Sequence, residues 1–298
     1  MIHERVLSTA ALVFLMSRPS HLLLQAVVYL LGISVARAHG VALDPVAWAV
    51  GLMVFLPLAA SVHLANEYAD HETDALTVRT PFSGGSGALP RTGRSPMLAL
   101  AAASALGATG AVLTLVATLA GFLHPAGAAL LALGTVGGWA YSVGPFPLGW
   151  HGLGEVANSL LGGMVLPLYG VAVAGGGMDA GTALAFLPFT LLVGANLLAT
   201  TWPDRDADAH VGKRTLATRW PVPWLRAVYA AVNVAFVGVT VLLAGGPLDT
   251  RVAAASLLVL PLVGLGMLTY TQRRSPFPAV AAMVALAIIQ LAAWWAVG

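Results

Sequence analysis

Nothing constrains this chain more than its apolar stretches, each close to the ~20 residues a helix needs to cross a bilayer. They run approximately over Ser20–Ala36, Pro45–Ala65, Pro96–Ala120, Pro125–Tyr141, Gly154–Ala174, Thr182–Trp202, Trp224–Leu243, Val252–Thr271 and Pro278–Val297. The fourth is among the shortest. Glycine and proline mark many of the boundaries, as at Gly144-Pro145, Gly175-Gly176-Gly177 and Gly245-Gly246-Pro247. Only 9% of residues are charged, where a soluble domain carries roughly a quarter. A polytopic membrane protein with about nine spans is expected.

The basic residues test that map independently. With the N-terminus inside, Arg5, Arg18, Arg79, Arg91, Arg94, Arg205, Lys213, Arg214, Arg219, Arg226, Arg273 and Arg274 fall on one side, and only Arg37 and Arg251 on the other. This bias predicts a cytoplasmic N-terminus in a multi-pass cell-membrane protein. Val6–Met16 is apolar but too short to span and reads as an interfacial helix. Ala36-Arg37-Ala38 resembles a leader-cleavage site, but the apolar region before it is longer than a signal core. A net charge of +2, without a basic and aromatic-rich pattern, gives no support for a nucleic-acid partner. The chain has no Cys, which excludes disulfides and thiolate chemistry.

Against this charge-poor background, seven of the twelve Asp and Glu residues fall in two short runs. These are Asn66-x3-Asp70-x3-Asp74 and Asp204-x3-Asp208, each where a span ends on the cytoplasmic side. Helical residues four apart share a face, about 6 Å apart along the axis. Like charges so stacked repel unless a cation lies between them. Mg2+ with a phosphate ligand fits, because it takes oxygen ligands and keeps several from water or substrate.

Base follows acid in both places. After Asp74 comes Arg79-Thr80-Pro81-Phe82-Ser83-Gly84-Gly85-Ser86-Gly87, and after Asp208 comes Gly212-Lys213-Arg214-Thr215-Leu216. The recurrence hints at an internal repeat, although general similarity between the halves is weak. A diphosphate here would share its oxygens between Mg2+ and Arg or Lys, while backbone N–H groups of Ser83–Gly87 approach the same anion. The rest of the substrate should be apolar, since this face opens onto helices buried in lipid. Alternative readings are a solvated acidic loop, a Lys213-Arg214 lipid anchor and an ordinary glycine-rich turn.

The acidic runs, Gly212–Leu216, Arg18-Pro19, Tyr141-Ser142 and Gly152-Leu153-Gly154-Glu155 together resemble the UbiA superfamily of intramembrane prenyltransferases. The resemblance covers nearly the whole chain as a single domain, 1–298. It implies an all-α fold with a central cavity, capped by two acidic cytoplasmic loops and open sideways to lipid. It also implies Mg2+-dependent transfer of an isoprenyl group from its diphosphate to a small acceptor, often aromatic. By the same resemblance Asn66, Asp70, Asp74, Asp204 and Asp208 hold Mg2+ and diphosphate, with the four aspartates as the catalytic set. Arg79, Lys213 and Arg214 are the basic partners, and Ser83 and Tyr141 belong to the substrate site. Two positions depart from the family pattern: Glu67 follows Asn66 where many members have Asp, and Thr200 stands where many have Asn.

The Gly212–Leu216 run with the glycine-rich loop looks most like the menaquinone branch, whose acceptor is 1,4-dihydroxy-2-naphthoate. Other acceptors within the superfamily are 4-hydroxybenzoate, homogentisate, chlorophyllide and geranylgeranylglyceryl phosphate. Terpene cyclisation is a different chemistry on the same site. A transporter is disfavoured, because its ionisable residues should lie near mid-membrane. The remaining polar residues are less diagnostic. His63 has Asn66 nearby on its helical face, Glu155 stands at a helix start with Asn158 one turn on, and Asn196 should face the bundle interior. Tyr141, Trp139 and Trp202 could shield an allylic cation, or simply form interfacial belts.

Overall fold

The structure, a computed structural model, describes residues 8–298, so Arg5 and the first residues of the expected interfacial helix lie outside it. That helix is α1 (Thr9–Met16), capped by Ser8, whose Oγ accepts the Ala11 N–H at 3.2 Å. Leu12 and Met16 pack into a small core with Leu64, Ala88, Leu89 and Ala99.

All nine apolar stretches are helical. They form α2 (Pro19–Ala38), α3 (Pro45–Ala69), α6 (Met97–Leu119), α7 (Pro125–Ser142), α8 and α9 (Gly154–Leu160 and Leu166–Val173), α10 and α11 (Ala180–Ala185 and Leu187–Thr201), α14 (Val222–Leu243), α15 and α16 (Thr250–Ser256 and Leu260–Thr269) and α17 (Phe277–Val297). No strand forms among the described residues. Seven of these segments are long and apolar enough to cross a membrane. The other two are α7, which carries four Gly among its 18 residues, and α11, which has only 15.

Three segments are interrupted, each just before a proline. A π turn (Leu161–Val165) precedes Pro167, a break at Phe186 precedes Pro188, and a 3-10 turn (Leu257–Val259) precedes Pro261. Proline has no N–H and its ring meets the carbonyl one turn back, so the ladder must yield there. In α3 the helix continues through Pro57.

Small residues set the closest packing, as expected where lipid and protein are equally apolar. In the α2–α9 contact, Gly32 lies on the Pro167 carbonyl and Gly170 on the Tyr29 carbonyl, with no room for a Cβ on either. In the α3–α6 contact, Gly110 receives the Leu58 side chain. Short helices α4 (His71–Leu76) and α5 (Ala88–Thr92) follow α3, and α12 (Arg205–His210) and α13 (Leu216–Arg219) follow α11. Helices α4 and α12 touch, so both acidic runs meet at one end of the bundle.

Candidate active site

The first acidic run crosses a helix break. Asn66 is in the last turn of α3, Asp70 ends that helix with its N–H on the Asn66 carbonyl at 2.9 Å, and Asp74 lies in α4. The Asn66 side-chain amide donates to Asp70 Oδ2 at 2.8 Å and to Ser142 Oγ at 3.2 Å, tying α3 to the end of α7. The second run is built likewise, with Asp204 preceding α12 and Asp208 within it.

Lys213 joins the two. Its buried Nζ donates to Asp70 Oδ1 at 2.9 Å and stands 3.6 Å from Asp208 Oδ1. The glycine-rich loop closes on the first run: Gly85 lies directly on the Asp74 carboxylate. Gly85 has φ +60°, so both its backbone and its missing Cβ are required here.

Glu67 explains how that loop is held. It is 1% exposed and accepts from Arg18 Nη2 at 2.7 Å, from the Ser86 N–H at 2.7 Å and from Ser86 Oγ at 2.6 Å. The acid next to Asn66 thus serves the loop, fixed by the arginine ahead of α2. Arg18-Pro19 and the Ser83–Gly87 run are both among the sequence motifs, but neither Arg18 nor the Ser86 side chain is among the expected site residues. A further signal for the Arg18 pairing is the opposite charge of Glu67 at the end of the next span.

Other expected site residues are peripheral. Arg79 is exposed and donates from Nε to the Gly85 carbonyl at 3.1 Å. Ser83 Oγ pairs with Thr80 Oγ1 at 2.8 Å within the loop. Arg214 is exposed, with its backbone N–H on the Trp150 carbonyl at 3.0 Å. Thr200 Oγ1 donates to the Leu197 carbonyl of its own helix at 3.2 Å, so its hydroxyl proton is already used. Tyr141 packs its ring over Gly149 and Gly154, within electrostatic reach of Lys213, Asp70 and Asp208.

Charge is unbalanced. Five carboxylates (Glu67, Asp70, Asp74, Asp204 and Asp208) face two inner cations, Arg18 and Lys213. Burial pushes Asp74 up to about 7, with the Asp70, Glu67 and Asp204 charges adding and Arg18 opposing. Burial and the Asp208 charge push Asp204 up to about 7. Burial raises Asp208 to about 6 despite Lys213. For Lys213, burial is outweighed by Asp70 and Asp208, and its ammonium is held well above the usual range. Asp204 Oδ1 and Asp208 Oδ1 are buried without hydrogen-bond partners. Among the described residues no three His, Asp or Glu side chains already stand close enough to cage an ion. Lys213 holds the middle instead. An all-oxygen donor set with surplus negative charge and orphaned oxygens nevertheless fits a hard divalent cation.

One turn deeper than Asn66, Ser142 and Glu155 lie Val62, Gly138 and Asn158. All three line a cavity of about 100 Å³ walled by Phe55, Leu58 and Tyr169. The charged end therefore caps an apolar hollow.

The fold and site define an all-helical, multi-pass membrane protein with two acidic loops closing one end of an apolar cavity. The UbiA prenyltransferase family matches residues 26–267, and the chain belongs to that family. Solved structures share the fold. A UbiA homolog from Archaeoglobus fulgidus bound to GPP and Mg2+ has 17% identity and a TM-score of 0.67, covering 96% of this chain and 99% of that one. The apo structure of a UbiA homolog from Aeropyrum pernix K1 has 18% identity and a TM-score of 0.69, covering 93% and 97%. A digeranylgeranylglyceryl phosphate synthase has 14% identity and a TM-score of 0.64, covering 97% and 100%. No curated protein sequence matches the chain.

Proposed function

We propose that this protein, as a single domain over 1–298, transfers an isoprenyl group from its diphosphate to an electron-rich aromatic acceptor of the quinone-precursor type, such as 1,4-dihydroxy-2-naphthoate. The observation that carries this reading is Lys213 joining Asp70 and Asp208, one from each acidic run, above an apolar cavity. In this reading Asn66, Asp70, Asp74, Asp204 and Asp208 hold Mg2+ and diphosphate, as the GPP and Mg2+ in the Archaeoglobus fulgidus homolog suggest. The basic bias of the loops supports a cytoplasmic site in the cell membrane.

The chain's own groups divide the work. Lys213 neutralises charge on the leaving diphosphate, with Arg79 and Arg214 as outer partners on exposed loops. Asn66 orients Asp70 from one side while Ser142 holds Asn66 from the other. Glu67 and Arg18 fix the Ser83–Gly87 loop that covers Asp74, and the cavity keeps water from the allylic carbon. Mg2+, when bound, supplies further positive charge to the departing diphosphate oxygens.

The test is incubation of purified protein with geranylgeranyl diphosphate, Mg2+ and a panel of aromatic acceptors, with products identified by mass. A prenylated aromatic is expected. Release of diphosphate with a cyclic hydrocarbon and no acceptor adduct would make the protein a cyclase. No turnover with any chain length would overturn the enzyme reading.

A further inference from the structure

Glu155 is only half used. It is 6% exposed and stands at the start of α8. Its Oε1 accepts the Leu216 N–H at 3.0 Å, while Oε2 is shielded from solvent and has no partner. A buried carboxylate oxygen left without a donor is costly, more so than a neutral group. Retaining it makes sense if a ligand supplies the donor.

Two sets of neighbours say which ligand. Toward the charged end, the Tyr141 ring packs on Gly154, the residue before Glu155, and the Leu216 bond ties Glu155 to the loop that carries Lys213. Toward the membrane interior, Asn158 and Gly162 follow at i+3 and i+7, on the same face of the segment, and both line the apolar cavity. Glu155 therefore stands where the cavity gives way to the charged end. A molecule that meets a carboxylate there, with an apolar body behind and an aromatic ring beside it, fits the description of a phenol.

We propose that Glu155 is a specificity-determining contact for the acceptor: Oε2 takes the hydrogen bond of a ring hydroxyl and so fixes how the ring faces the allylic carbon. This rests on the aromatic-acceptor reading above. Truncation of Glu155 removes that bond and the Leu216 tether together, whereas Glu155→Gln removes only the bond. The role differs from a purely structural one, in which Oε1 merely holds the Leu216 backbone and Glu155 matters only for the Lys213–Leu216 loop.

Steady-state kinetics on the full-length protein with geranylgeranyl diphosphate and Mg2+ separates the two. The acceptor is 1,4-dihydroxy-2-naphthoate, compared with its mono-O-methyl ethers. Wild-type protein should prefer one free hydroxyl over its ether by about 10- to 100-fold in kcat/KM, the worth of a charge-assisted bond. In Glu155→Ala that preference should collapse to a few-fold with a raised acceptor KM, and loss of the Leu216 tether should raise the diphosphate KM as well. Glu155→Gln keeps an amide oxygen for Leu216 and turns an NH2 to the ring hydroxyl. It should lose the preference too, with an unchanged diphosphate KM, and it serves if the alanine variant fails to fold. Retained preference in both variants, or a diphosphate KM that rises in step with the acceptor KM in Glu155→Gln, overturns the inference alone. No aromatic product from wild-type protein overturns the functional reading, and this one with it.

Discussion

The two acidic runs look alike in sequence, yet the protein completes only the first. Around Asn66–Asp74 the acids are partnered from within. Asp70 is bonded by Asn66 and Lys213, Glu67 by Arg18 and Ser86, and Asp74 is covered by Gly85. Around Asp204–Asp208 each aspartate keeps a buried oxygen without a hydrogen-bond partner. One half is a framework that holds its shape unaided. The other is set up to receive charge, and Lys213 lies between them.

The sharpest way to break that contrast is to remove one acid from each run. Asp70→Ala and Asp208→Ala should each lower turnover by more than about 100-fold, the scale expected when groups that stabilise transition-state charge are lost. Stability should split by sign. Asp70→Ala strips the buried Lys213 of its 2.9 Å partner, a loss of about 3–5 kcal/mol for an ion pair of this kind. Asp204→Asn removes a charge that burial and Asp208 already disfavour, and should raise the melting temperature without Mg2+. Equal shifts in the same direction would mean the runs are equivalent.

Glu67 tests the framework half directly. Glu67→Ala takes from Arg18 its 2.7 Å partner and releases the Ser86 N–H, again about 3–5 kcal/mol. Melting should fall and the 77–87 loop should become open to protease, whether or not Mg2+ is present. Protection fully restored by Mg2+ would move Glu67 into the receiving half.

Much of this architecture is legible in the sequence. Hydropathy locates nine helical stretches, seven of them long and apolar enough to cross a membrane, because a backbone in lipid must satisfy its own hydrogen bonds. The interruptions were legible in principle, since Pro167, Pro188 and Pro261 each stand just past one. What cannot be read locally is the partner of a buried charge. Arg18 and Glu67 are 49 positions apart and meet only because α2 and α3 are antiparallel neighbours. The same limit hid the outward placement of Arg79 and Arg214. Their spacing after the acids is right for a phosphate site, but spacing does not say which way a loop side chain turns.

A smaller effect is expected from pH. Without metal, burial holds Asp74 and Asp204 up at about 7 in the folded protein, against 3.8 for an ordinary aspartate. The folded state thus binds more protons between those values, so stability falls as pH rises from about 4 to about 7. Mg2+ binding should displace those protons, and its affinity should weaken by up to about tenfold per pH unit for each proton displaced on acidification below 7. Titrating the melting temperature with Mg2+ at pH 5.5, 6.5 and 7.5 measures both slopes. A metal affinity flat across that range would mean the orphaned aspartates are not ligands.

The smallest effects belong to the two exposed arginines, and they ask whether the contrast survives substrate binding. Arg79 spends its Nε on the Gly85 carbonyl, and Arg214 contributes a backbone N–H that truncation leaves intact. Exposed cations are screened by salt and are worth about 0.2–1 kcal/mol to a paired anion. Arg79→Ala and Arg214→Ala should therefore raise the diphosphate KM by no more than about fivefold, and by less at 0.5 M salt. Lys213→Ala should be far worse at any salt, because its ammonium is buried between Asp70 and Asp208 and water cannot replace it. If Arg214→Ala proves as damaging as Lys213→Ala, the loop after Asp208 must close inward on the diphosphate. The receiving half would then be larger than the two orphaned aspartates.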